Sequence, residues 1–164
     1  MSNIAKAFDH GKAFIPFITC GDPSLEVTEK LVLEMADAGA DLIELGIPFS
    51  DPTAEGPVIR NANLRALSGG VTVSEIFEMG KRLSQSVKVP MVFMTYANVV
   101  FSCGLKSDSL NTNVFKSEPQ NGNSEIFISK CSEIGIDGLI LPDIPFEEKE
   151  EFDGLCKKYG LDLI

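Results

Sequence analysis

Ala38-Gly39-Ala40-Asp41-Leu42-Ile43-Glu44-Leu45 recurs as Ile134-Gly135-Ile136-Asp137-Gly138-Leu139-Ile140-Leu141, and again as Tyr159-Gly160-Leu161-Asp162-Leu163-Ile164. Each copy reads as a helix end, a glycine cap, an aspartate and a short continuous apolar strand. Strands buried on one face alternate polar and apolar residues; continuous apolar runs indicate burial on both faces, the mark of a parallel sheet covered by helices. The three copies predict a βα-repeat architecture.

Working outward, Ala13 to Thr19 is an apolar run that enters the turn formers Gly21-Asp22-Pro23, and reads as a buried strand. From Ser24 to Ala38, Val27, Leu31, Met35 and Ala38 fall at helical spacing, Asp22 or Ser24 stands ready to cap, and Gly39 stops the helix. Thr72-Val73-Ser74-Glu75 has capping-box form and opens a helix with Ile76, Met79, Gly80 and Leu83 on one face. Pro90 to Thr95 reads as a strand. A helix from about Glu125 presents Phe127, Ile128, Cys131 and Ile134, and one from about Glu147 presents Phe152, Leu155, Cys156 and Tyr159. Five strands are expected, in one domain spanning 1–164. Leu105 to Asn123 breaks the rhythm, with four Asn, three Ser and no period, and is longer than the about 12 to 15 residues usual for a structureless loop. A disordered insertion loop is the expectation for 105–123, with a functional loop as the alternative.

Composition narrows the function. The 164 residues are 44% hydrophobic and 23% charged, with 14 Lys+Arg against 24 Asp+Glu and a net charge of −10. The chain can bury a core, and no run reaches the roughly 18 to 20 apolar residues of a membrane span, so a soluble protein is expected. The acidic balance argues against a nucleic-acid partner. Cys20, Cys103, Cys131 and Cys156 are scattered without a paired CxxC pattern, which disfavours zinc and disulfides. The N-terminal stretch has no apolar signal core, and a cytoplasmic location is expected. His10 is the single histidine, so acid–base chemistry is expected to rest on carboxylates.

Reactive groups in parallel α/β folds lie at the C-terminal strand ends and the loops after them. Glu44 stands near such an end among Leu42, Ile43, Leu45 and Ile47. Desolvation there raises a carboxyl pKa towards the range useful for proton transfer; a Glu paired with Arg or Lys at a strand edge is the alternative. The following loop, Gly46 to Pro57, contains three prolines, which restrict it, and a further carboxylate, Glu55, that is placed to face Glu44 across a substrate. A solvated acidic loop is the plainer reading of the same residues.

The string ELGIPFSDPTAEGPVI at 44–59, with FIPFITCGDPS at 14–24, MTYAN at 94–98 and LILPDIP at 139–145, closely resembles the tryptophan synthase α subunit family, from about Ala13 to Gly104 and from about Glu125 to Ile164. The resemblance implies a (β/α)8 TIM barrel that cleaves indole-3-glycerol phosphate to indole and glyceraldehyde 3-phosphate by a retro-aldol step, without metal or organic cofactor. It makes Glu44 the acid/base at indole C3 and the glycerol hydroxyl. Glu55 stands where the family often has Asp, the carboxylate that accepts from the indole N–H; the loop is expected to absorb the extra methylene. Phe17, Met94, Tyr96 and Ile140 would line the indole pocket, although barrel packing alone also suits Phe17 and Ile140. Pro48, Asp51 and Asn98 match positions facing the pyridoxal-phosphate-dependent β subunit of an α2β2 tetramer, and Asp143 matches a supporting carboxylate.

Two departures qualify that picture. A complete barrel takes about 250 residues and holds phosphate on the loops after strands 7 and 8. Five strands imply an open partial barrel with unpaired edges, marginal as a monomer. The insertion follows strand 3 at the catalytic end, where ordering it would oppose docking of a partner, with a new contact surface as the alternative. The alternative function is therefore an inactive fragment that at most binds the β subunit or a complementary half-barrel.

Overall fold

A computed structural model describes residues 3–53, 55–103 and 121–164. Five parallel strands, β1 (Phe17–Thr19), β2 (Ile43–Gly46), β3 (Met91–Met94), β4 (Gly138–Ile140) and β5 (Asp162–Leu163), form one sheet in sequence order, with β1 and β5 at its edges. Helices α1 (Asn3–Lys6), α2 (Leu25–Asp37), α3 (Pro57–Ser68), α4 (Val73–Leu83), α5 (Ala97–Ser102), α6 (Asn121–Glu133) and α7 (Glu150–Tyr159) accompany them, and a 3-10 turn spans Phe146–Glu148.

The recurring Gly-x-Asp has a physical basis in two parts. Gly39, Gly135 and Gly160 sit at φ of +97°, +82° and +75°, the left-handed conformation that turns the chain from helix to strand. The aspartate then clips the new strand to the one before it. Asp41 Oδ2 accepts from the Phe14 N–H at 2.7 Å, and Asp137 Oδ2 accepts from the Met91 N–H at 3.0 Å. Asp137 Oδ1 also accepts from Asn3 Nδ2 at 2.9 Å, which ties α1 to the N-terminal end of the sheet.

Strand parity divides the molecule. Ile43, Leu45, Met91, Phe93 and Leu139 point to the helices and join a core with Ile76, Met79, Leu83, Phe127, Ile128, Cys131, Phe152 and Cys156. Phe77 stands edge-on to both Phe93 and Phe127, with ring centroids 5.6 and 5.2 Å apart. Residues of the other parity, Phe17, Glu44, Val92, Gly138 and Asp162, lie side by side in register on the opposite face.

Several sequence expectations are corrected in detail. The first strand is shorter than Ala13–Thr19: Pro16 has no N–H for a ladder, and its carbonyl accepts from the Glu44 N–H at 2.9 Å as the strand begins. Helix α2 turns a different face inward. Thr28 and Val32 are buried, while Val27 and Leu31 are exposed. Thr28 can be buried because its hydroxyl donates to the Ser24 carbonyl and accepts from the Gly21 N–H, both at 3.0 Å. Ser24 is the cap of α2, accepting from the Val27 N–H, whereas Asp22 is engaged by Arg65 at 2.7 and 2.8 Å. The capping box of α4 is present, with Ile76, Met79, Gly80 and Leu83 buried as its spacing requires. Helices α1, α3 and α5 have no counterpart among the sequence expectations. Helix α6 begins at Asn121, so the last three residues of the predicted insertion are helical; the remainder of that expectation falls on 105–120, outside the described residues.

Candidate active site

The inward face of the sheet collects the predicted site residues. Phe17 pairs in register with Glu44, and one step towards the C-terminal ends Gly46, Met94 and Ile140 stand in a row. Phe17, Glu44, Met94 and Ile140 are each partly exposed there, while Leu45, Phe93 and Leu139 on the helix-facing side are buried. Strand alternation is what brings these four side chains, up to 123 positions apart in sequence, onto one surface.

Glu44 lies between Phe17 on β1 and Val92 on β3. This apolar setting burdens its charged form, and burial raises the carboxyl above its ordinary value. Among the described residues no Arg or Lys makes the strand-edge ion pair considered for Glu44. A desolvated carboxyl without a cation is suited to take and return a proton.

Glu55, in the loop between β2 and α3, is held by Tyr96, which follows β3. Tyr96, 3% exposed at the end of β3, donates its hydroxyl to Glu55 Oε2 and accepts from the Thr53 N–H at 3.1 Å. The ring of Phe49 packs on that of Tyr96 at a centroid distance of 5.0 Å. The same loop is therefore fastened to one phenol at three points.

Asp143, expected as a supporting carboxylate, has a defined partner. Both its oxygens lie 3.1 Å from the Ala97 N–H, at the start of α5 and next to Tyr96. Of the predicted partner-facing residues, Asp51 and Asn98 are exposed, and Pro48 is buried. The Asp51 carboxylate accepts from Ser50 Oγ at 2.6 Å, and the Asn98 carbonyl accepts from Ser102 Oγ at 2.7 Å.

Two glycines shape the inward face, and sequence reasoning gave neither this role. A Cβ at Gly46 would stand 2.5 Å from Phe17 Cζ, and one at Gly138 would stand 2.8 Å from Ile4 Cδ1 and 2.7 Å from the Asp162 carbonyl oxygen. Gly46 admits the Phe17 ring, and Gly138 admits the α1 side chain that floors the sheet. Their small size in otherwise bulky strands was the available signal. A cleft of about 650 Å³ between α4, α5 and α6 lies on the helix side of the sheet, away from Glu44.

Among the described residues no cluster of three His, Cys, Asp or Glu side chains is arranged for a metal, and no helix is long and apolar enough to cross a membrane.

A family model described as Tryptophan synthase alpha chain matches residues 4–164. The tryptophan synthase alpha chain of Alkaliphilus metalliredigens is 46% identical over 159 residues, 97% of this chain and 52% of that one. The crystal structure of the tryptophan synthase alpha chain from Legionella pneumophila superposes with a TM-score of 0.81 at 31% identity, covering 100% of this chain and 56% of that one. A structure described as the tryptophan synthase α2β2 complex from Pyrococcus furiosus matches with a TM-score of 0.76 at 30% identity, covering 92% of this chain and 54% of that one. The chain spans about half the length of the relatives it matches. The parallel α/β sheet is thus the corresponding portion of their TIM barrel, and the chain belongs to the tryptophan synthase alpha chain family.

Proposed function

We propose that the described residues form the acid–base portion of a tryptophan synthase α subunit, which cleaves indole-3-glycerol phosphate into indole and glyceraldehyde 3-phosphate. The observation that carries this is Glu44: a carboxyl raised by burial, with no ion pair to any described Arg or Lys, on the inward face between Phe17 and Val92. In the retro-aldol step, protonation at indole C3 and loss of the glycerol hydroxyl proton accompany breakage of the bond between C3 and the glycerol carbon. Glu44 serves as that acid and base. Glu55 accepts from the indole N–H and offsets positive charge on the ring. Phe17, Met94 and Ile140 form apolar walls for the indole.

The chemistry proposed needs no metal or organic cofactor, since the proton transfers use carboxylates; pyridoxal phosphate belongs to the β subunit. A β subunit is the proposed partner, in an α2β2 tetramer in the cytoplasm, with exposed Asp51 and Asn98 on the docking side.

The test is release of indole from indole-3-glycerol phosphate, by the chain alone and with an added C-terminal half-barrel from a full-length relative. Indole in either case, lost in Glu44→Gln, supports the proposal; none in both overturns it. The half-length coverage of the relatives favours one second reading, a non-catalytic binder. It predicts a complex on titration with a β subunit but no indole.

A further inference from the structure

We infer that Tyr96 is a positioning residue, acting on the substrate through Glu55 rather than as a wall of the indole pocket. This rests on the lyase function proposed above. The Tyr96 ring is buried and holds its partners at three points: its hydroxyl donates to Glu55 and accepts from the Thr53 N–H at 3.1 Å, and its ring carries Phe49 at 5.0 Å between centroids. Residues 49, 53 and 55 all belong to the β2–α3 loop, whereas Tyr96 follows β3. The loop is therefore referenced to the neighbouring strand and not merely to its own ends.

The choice of Tyr at 96 and Glu at 55 has a chemical rationale. Glutamate has one more rotatable bond than aspartate, so its carboxylate sweeps a larger volume unless something holds it. A phenol on a buried ring is a rigid donor with few torsions of its own. Its hydroxyl occupies one oxygen of Glu55 and leaves the other oxygen for a ligand N–H. Because the phenol also accepts from Thr53, its proton is directed to the carboxylate. The backbone next to Tyr96 is fixed in turn, as both oxygens of Asp143 lie 3.1 Å from the Ala97 N–H. Placing a charge to within a fraction of an ångström before substrate arrives is a recognised source of rate.

Two measurements test the assignment. The chain has no Trp and two Tyr, at 96 and 159, so in a Tyr159→Phe background the near-ultraviolet tyrosine band belongs to Tyr96. A phenol donating to a carboxylate absorbs to the red of one donating to a neutral group. Glu55→Gln in that background is expected to shift the band to the blue, and an unchanged band overturns the inference. For the reaction, Tyr96→Phe with the half-barrel present is expected to lower kcat roughly tenfold with little change in KM. In a Glu55→Gln background the same substitution is expected to cost nothing further. Active wild-type protein with an undiminished Tyr96→Phe variant, or with equal losses in both backgrounds, overturns the inference and spares the proposed function. Inactive wild-type protein overturns the proposed function, and the absorption band then decides whether Tyr96 holds Glu55.

Discussion

Phe17 Cζ occupies the space that a side chain at Gly46 would need, 2.5 Å from the position of its Cβ. Residue 46 is not among the glycines at positive φ, so it is glycine for room and not for backbone conformation. Gly46→Ala is expected to push the Phe17 ring off the β2 surface and to destabilise the fold by about 1–3 kcal/mol, the usual penalty of overpacking. Urea denaturation measures it. Shortening the ring in a Phe17→Leu/Gly46→Ala double variant should recover part of the loss; a Gly46→Ala variant as stable as its parent would show that the ring moves freely.

Burial of Glu44 makes the stability of the fold depend on pH. Its folded-state carboxyl is raised by burial, so between the ordinary glutamate value and the raised one the folded chain holds more protons than the unfolded chain. Its contribution to stability is complete below that window and is lost as pH rises through it. Glu44→Gln removes the titration: the variant is expected to be at least as stable as wild type at neutral pH, with the advantage disappearing towards acid. Denaturant midpoints across pH test this, and a larger wild-type advantage at neutral pH would contradict it. Activity should fall on the order of 100-fold or more in the same variant.

Much of the fold was legible because the determinants are local. A glycine at positive φ leaves a trace in every repeat, at 39, 135 and 160, and in the first two the aspartate that follows, Asp41 or Asp137, clips the previous strand. Glu44 was legible for a similar reason, since its apolar neighbours on either side in sequence foretell desolvation. Thr28 was not, because it is a polar residue buried only by two bonds around the α2 cap. Helix α3 was hidden by mixed polarity, and α5 by its length of six residues, the first two of which belong to the MTYAN motif. The Tyr96–Glu55 bond joins residues 41 apart, with no periodicity to announce it.

The four thiols are expected to differ sharply in reactivity. All are free, and burial pushes Cys20 and Cys156 up to about 12 and Cys131 up as well. Cys103 is also raised by burial, but the Lys130 charge opposes that rise and its side chain is partly exposed. Because the thiolate is the reactive form, a thiol reagent at pH 8 should label Cys103 first in the folded protein and all four after unfolding. Rapid labelling of four thiols without denaturant would indicate that the core around α6 and α7 opens readily.

Asp143 offers a way to disturb the site without touching either glutamate. Its carboxylate caps the Ala97 N–H from the loop after β4, and Tyr96 is the preceding residue. Removing a capping carboxylate costs about 0.5–2 kcal/mol where the donor is left without a partner. Asp143→Ala is therefore expected to lower stability by that amount and to reduce indole release, because a loosened Ala97 lets Tyr96 and Glu55 drift together. Asp143→Asn keeps an acceptor oxygen while losing the charge, and should retain more of both stability and activity than Asp143→Ala. If the two variants lose activity equally while differing in stability, the charge of Asp143 matters in its own right; if neither loses activity, the Ala97 clip has no part in holding Tyr96.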